Sequence, residues 1–232
     1  MKRVIILVEG DCEIILMKKL VIPYLYQAIE MLGNPEVGWS IEPVKITTNR
    51  VLNKKGGNIS FVYLINDIKR FSSQKCTLIT TFFDFFRLPV DFPGYTKDGS
   101  RVSDLEEAMK VALKKEVPHL PEFLPYIQMY EFEALLFSGI EGFELLVDDE
   151  DKLREIRSIM QAYPNPEEIN GGTETAPSKR LGHIYDYDKT ADSELILEMM
   201  GLDAIIEKCP RFSVWLDNLV GRITDLSYIY QQ

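Results

Sequence analysis

Two histidines and three cysteines are all that the 232 residues offer for soft-metal or thiol chemistry. Cys12, Cys76 and Cys209 are widely scattered, which fits neither a disulfide framework nor a paired-cysteine zinc motif, and none has a local His and acid that would make it a nucleophile. Such usage implies a reducing, cytoplasmic setting. Long apolar runs are missing as well: VIILV and LITTFF are far too short to span a bilayer. At the start, acids follow RVIIL at once and no small-residue cleavage site appears, which argues against export. There is no GxxxxGK[ST] loop, no GxGxxG after the first apolar run and no GxSxG elbow. Walker-type nucleotide binding, dinucleotide binding of that design and serine hydrolysis on such an elbow are therefore excluded. The chain also lacks internal repeats and low-complexity tracts.

What is present is an ordinary globular composition, 46% hydrophobic and 27% charged, with the charge unevenly spread. The net of −10 argues against a protein that coats nucleic acid non-specifically. Residues 1–80, however, carry 11 Lys/Arg against 7 Asp/Glu, a net of +4 that leaves −14 for the remainder. Lys45, Arg50, Lys54, Lys55, Lys69, Arg70 and Lys75 fall in one stretch with a single acid, Asp67. Such a stretch is either a solvated face or one side of the molecule that meets a polyanion.

The pattern of apolar residues alternates strand and helix. Residues 3–8, IEPVKIT (41–47), CTLITTFF (76–83) and FLPYIQM (123–129) read as strands, the first and third fully buried. Between and after them fall helices at about 12–32, 59–71, 102–117 and 131–137. Asp11 is the expected N-cap of the first, Pro23 is expected to bend or split it, and Ser103 with Glu106 reads as a capping box on the third. KKGGN (54–58) reads as a turn. The expected class is therefore α/β, a mainly parallel sheet of about four strands with helices on both faces over residues 1–140. Residues 141–232 read as a helical C-terminal part, joined through the polar segment 165–183; in CPRFSVWLDNL, Phe212, Trp215 and Leu219 share a packing face.

Three of the expected strands end in acid: Glu9 after the first, Asp84 after LITTFF, and Glu131 with Glu133 after FLPYIQM. Ligands of an open parallel sheet bind at the carboxyl edge of its strands, so these side chains are expected to meet there. Clustered carboxylates repel one another, and a divalent cation resolves the repulsion. All-oxygen ligation suits Mg²⁺ or Mn²⁺, and two such ions can activate water and stabilise the leaving oxygen in phosphodiester cleavage. Other readings stay open: Asp11 and Glu13 suit the first turn of a helix, and Glu131 could do the same for its own helix. Glu131 and Glu133 are two apart, so on a helix only one need enter the site. Asp84, set among Phe82, Phe83, Phe85 and Phe86, needs a partner, either a metal or a basic side chain.

VEGDCE, TTFFDFFRLPVDFPGY, FLPYIQMYEFEALLF, PEEINGGTETAPSKRLGHIYDYDK and CPRFSVWLDNL, in that order, resemble a bacterial Toprim-related family of unassigned function, often encoded beside AAA- or ABC-type ATPases. The resemblance implies a Toprim-like, Rossmann-like fold. Related Toprim proteins act as nucleases in phage defence, and the Toprim pattern holds Mg²⁺ with a glutamate after the first strand and an Asp-x-Asp after a later one. Glu9 and Asp84 match the glutamate and the first aspartate; Phe86 stands at the second, and Glu131 or Glu133 is the natural substitute. No nucleophilic tyrosine is identifiable among the eleven, which disfavours topoisomerase activity. The expected site is thus Glu9, Asp84, Glu131, Glu133 and Glu13 on Mg²⁺ or Mn²⁺, with Lys179 and Lys189 at the phosphate and Arg50, Lys54, Lys55 and Arg180 on DNA or RNA. The alternative is a non-catalytic partner that docks on an ATPase and carries a degenerate site.

Overall fold

The computed structural model describes the chain except residues 1, 32–37, 50, 51, 53, 75, 87, 98–100, 170, 171, 173 and 230–232. The elements in order are β1 (Lys2–Val8), α1 (Asp11–Leu16), a π-helical turn (Met17–Val21), α2 (Ile22–Met31), β2 (Trp39–Lys45), β3 (Thr47–Asn49), β4 (Lys54–Lys55), α3 (Phe61–Ser73), β5 (Leu78–Asp84), α4 (Val102–Glu116), β6 (Glu122–Leu124) and β7 (Ile127–Gln128). A 3₁₀ helix (Phe132–Ser138), α5 (Glu141–Leu146), α6 (Glu150–Ala162), a 3₁₀ turn (Pro166–Glu168), α7 (Pro177–Ile184), α8 (Ala191–Lys208) and α9 (Pro210–Ile229) follow.

The main sheet runs in the order β2-β1-β5-β6, with β7 pairing further along β5, and every pairing in it is parallel. β1 and β5 are buried on both faces, as their unbroken apolar runs require. Alternate residues of β1 divide between two cores. Val4, Ile6 and Val8 face α1, α2 and the helices after residue 140, whereas Ile5 and Leu7 face α3 and α4. Phe212, Trp215 and Leu219 of α9 lie in the first of these cores, as their spacing on CPRFSVWLDNL predicts.

The expected strand over residues 123–129 is two short strands, because Pro125 has no N–H to give the ladder. Side chains fill the gap. Thr81 Oγ1 accepts from Tyr126 N at 2.9 Å and donates to Tyr126 O at 3.0 Å, and Thr80 Oγ1 donates to Leu124 O at 2.6 Å while accepting from Trp215 Nε1 at 2.9 Å. Two hydroxyls in a buried strand are thereby satisfied, and the register stays unbroken across the proline.

Several local expectations are corrected. The helix expected over about 12–32 divides into α1, a π turn and α2, with Pro23 in the first turn of α2; the Ile22 N–H reaches Met17 O, so the ladder is rearranged where the ring would clash. Asp11 is the first helical residue, with Gly10 as cap, and its carboxylate pairs with Lys45 at 2.5 Å. Ser103 and Glu106 form no capping box, since α4 starts at Val102 without a side-chain cap; Glu106 Oε1 accepts from Ile127 N and from Arg211 Nη2 instead. The helix expected at 131–137 is 3₁₀, and half of the expected linker is helical, APSKR lying in and just before α7. IEPVKIT divides at Ile46, where β3 leaves to form a two-stranded antiparallel hairpin with β4.

Candidate metal and phosphate cleft

The carboxyl ends of β1 and β5 lie side by side, and the chain leaving each carries an acid. Glu9 Oε1 accepts from Asp84 N at 2.9 Å, so the two strand ends are clasped by one of the carboxylates. After β7 the chain turns through Tyr130, whose φ of 60° is the one left-handed value of a non-glycine among the described residues. That turn leads Glu131 and Glu133 back to the same edge. Phe86 N donates to Tyr130 O at 2.8 Å and ties this turn to the chain leaving β5.

The result is a cleft of about 440 Å³ lined by Glu9, Gly10, Asp11, Glu13, Gly57, Asp84, Phe86, Glu131, Glu133, Ser178, Lys179, Tyr187 and Lys189. All five carboxylates expected at the site therefore converge, and so do both expected lysines. Glu131 and Glu133 both enter, because Glu131 is extended, just outside the tight 3₁₀ turn that carries Glu133. Glu131 also has a structural role: its Oε2 accepts from Ser178 N at 3.0 Å, in the first turn of α7, and so holds the helix that carries Lys179.

Negative charge exceeds its compensation here. Glu133 is fully buried and its Oε1 lies 2.8 Å from Lys189 Nζ. Its Oε2 and Asp84 Oδ1 are shielded from solvent without a hydrogen-bond partner among the described residues. Burial, reinforced by the charges of Glu13, Glu9 and Glu133, pushes the Asp84 carboxyl well above the usual carboxylate range. Burial raises Glu13 and Glu133 too, against the pull of Lys189. For Lys189 the balance is reversed: burial pulls its ammonium down, and Glu133, Asp84 and Glu13 outweigh that and hold it above the ordinary lysine value.

Orphaned, hard oxygen acceptors beside like charges are what a divalent cation satisfies, so the donor set fits Mg²⁺ or Mn²⁺. Among the described residues, however, no three Asp, Glu, His or Cys side chains are gathered into a ready ligand set. The carboxylates line one cleft without closing on a single point.

The basic residues separate into groups. Lys54 and Lys55 are exposed on β4, and the glycines after them bring that hairpin to the cleft. Gly56 has φ 75°, and a Cβ there would lie 2.4 Å from Glu9 O; Gly57, at φ 77°, lines the cleft with open space where its Cβ would be. Thr47 N donates to Asp67 Oδ2 at 2.7 Å, which gives the lone acid of the basic stretch its role, fastening the hairpin to α3. Lys69 and Arg70 pair with Glu116 and Asp67 on the helical layer. Arg180 is not among the cleft-lining residues: its guanidinium donates to Thr175 O at 2.8 Å and lies over the Tyr163 ring. Arg50 lies outside the described residues. Gly10 is extended rather than left-handed, and its value is space, since a Cβ would come within 2.9 Å of Glu13 Oε2.

Sequence reasoning missed Tyr187, Ser178 and Gly57. Tyr187 shares its tripeptide with Lys189, but eleven tyrosines and no local signature left it unmarked; its hydroxyl lies 2.8 Å from Ser193 Oγ.

The chain belongs to a family defined by a domain of unknown function (DUF4276), whose profile matches residues 8–220 and so spans every cleft residue. No curated protein and no solved structure matches it. Among the described residues no helix is long and apolar enough to cross a membrane.

Proposed function

We propose that this chain is a Toprim-type nuclease that uses Mg²⁺ or Mn²⁺ to cut phosphodiester bonds in DNA or RNA, as an effector working beside an ATPase partner in a defence or toxin-like system. The observation that carries the chemistry is the convergence of Glu9, Glu13, Asp84, Glu131 and Glu133 on one sheet edge, with one shielded oxygen each of Asp84 and Glu133 unpartnered among the described residues. In this reading Glu9, Asp84 and Glu133 hold the cation, with Glu131 and Glu13 as further oxygen donors. The cation, when bound, supplies positive charge at a scissile phosphate and a water of lowered pKa. Lys189 offsets charge at Glu133 and, with Lys179 on α7, presents ammonium groups to the phosphate. Lys54 and Lys55 of the hairpin extend the positive contact along a strand.

Incubating the purified protein with supercoiled DNA and with RNA, in Mg²⁺, Mn²⁺ or EDTA, tests this reading. Cleavage is expected only with the cation and is expected to vanish in the Glu9→Ala/Asp84→Ala double variant; unchanged cleavage by that variant would sink the assignment.

Phe86 supports a second reading. It places an apolar ring in the cleft where the Toprim pattern carries an acid, which favours a cation-free subunit that docks on an ATPase. Calorimetric titration with Mn²⁺ separates the two: heats of binding that disappear in Glu9→Gln favour the nuclease, and absence of binding favours the partner.

A further inference from the structure

Neither a cation nor the two lysines gives Phe86 anything to do. Its neighbours in FFDFF are all spoken for: Phe82 packs on Tyr126 at 5.3 Å and on Trp215 at 5.7 Å, Phe83 on Phe92 at 6.4 Å, and Phe85 stacks on Tyr95 at 5.7 Å with an interplanar angle of 17°. Phe86 belongs to neither hydrophobic core and has no aromatic partner among the described residues. Its half-buried side chain lines the acidic cleft, two residues from Asp84, and its backbone is fixed by the bond to Tyr130 O. A half-buried phenyl ring that lines the cleft beside carboxylates, outside both cores, offers a face to a flat, apolar-faced group.

The volume of the cleft, about 440 Å³, suits a group of small-molecule size rather than the breadth of a duplex. A strand whose phosphate meets the carboxylates and lysines brings bases with it, and every base has a face that stacks on an aromatic ring. We infer that Phe86 is a stacking platform for a nucleobase, so that the strand entering the cleft is single-stranded DNA or RNA, taken with little sequence preference. This rests on the nuclease reading above and makes Phe86 a substrate-selecting residue at a position where the Toprim pattern would carry an acid.

Anisotropy of labelled single strands of about 12 nucleotides, DNA and RNA, and of matching duplexes tests it, with Ca²⁺ in place of Mg²⁺. Single strands are expected to bind the wild-type protein more tightly than duplex. Phe86→Ala is expected to weaken single-strand binding by about 5- to 100-fold and leave duplex binding unchanged. Phe86→Tyr keeps the ring and the preference; Phe86→Leu keeps bulk without the ring and loses it, which separates stacking from folding, and thermal melting of each variant checks the fold. Abasic strands are expected to bind wild type and Phe86→Ala alike. Equal affinity for single strand and duplex, or Phe86→Ala indifferent to the strand, overturns the inference while leaving the nuclease reading in place. Failure of the wild-type protein to bind any strand overturns both.

Discussion

The carboxylates around Glu167 and those of the cleft are accommodated in opposite ways. On the face of the sheet that carries α9, Glu167 accepts from Phe212 N at 3.1 Å and Tyr126 Oη at 3.2 Å through Oε1, and from Arg211 N at 2.8 Å through Oε2. It thereby caps α9 from outside the helix. Glu106 nearby takes the Ile127 amide at 2.9 Å and the Arg211 guanidinium at 2.8 Å. Burial pushes both carboxyls upward, and these donors pull them back. At the cleft, Asp84 Oδ1 and Glu133 Oε2 are left without a donor among the described residues. Satisfied carboxylates hold a structure together; shielded oxygens left without donors are where the proposed cation would act.

Breaking the Glu167 group has the largest effect expected. Glu167→Ala strands two amides of α9, while the Tyr126 hydroxyl keeps Gln128 Oε1 as acceptor, and is expected to cost about 3 kcal/mol, read as a lowered denaturant midpoint at unchanged slope. The cleft is expected to respond to cation instead. Mn²⁺ at about a hundredfold above its dissociation constant stabilises the wild-type protein by about 2.7 kcal/mol, and this gain is absent in Asp84→Asn. A Glu167 variant mild enough to fold, Glu167→Gln, keeps the gain.

Smaller, and opposite in sign to Glu167→Ala, is the effect of Asp84→Asn without cation. It removes a buried carboxyl whose ionisation burial and the neighbouring carboxylates oppose, and is expected to raise the melting temperature by about 3 °C. The pH dependence sharpens the point. Asp84, Glu13 and Glu133 have raised carboxyl pKa values in the folded chain, so the folded state keeps protons that the unfolded chain releases above about pH 4. Their contribution is full below that value and is lost as pH rises through the raised folded values. A melting series against pH is therefore expected to fall over this window, and to fall less steeply in Asp84→Asn.

Most of what positions the cleft is legible in the chain. The apolar runs of β1 and β5 are buried on both faces, and acids at their ends must meet because parallel strands end on one edge. Glu9 and Asp84 line the cleft for that reason, and Glu131 and Glu133 follow through the turn after β7, whereas Lys179 on α7 and Lys189 beyond it arrive from a segment distant in sequence. Less legible is whatever depends on partners distant in sequence. Glu106 reads locally as half of a capping box but is claimed by Arg211, 105 residues away. Glu131 holds Ser178 of a helix that its polar, Gly- and Pro-bearing surroundings disguise as linker. Tyr187 and Gly57 reach the cleft through turns that leave no periodic signal. Arg180 adjoins Lys179 in sequence, yet its guanidinium is engaged by Tyr163 and Thr175, since neighbours on a helix point in different directions.

Diffraction from crystals soaked in Mn²⁺, read at the manganese absorption edge, shows whether the cleft binds a cation. An anomalous peak is expected in the cleft, with oxygens of Glu9 and Asp84 at coordinating distance and the Glu133 carboxylate drawn toward it. A cleft with no peak at saturating Mn²⁺, its carboxylates still apart, would contradict cation binding there.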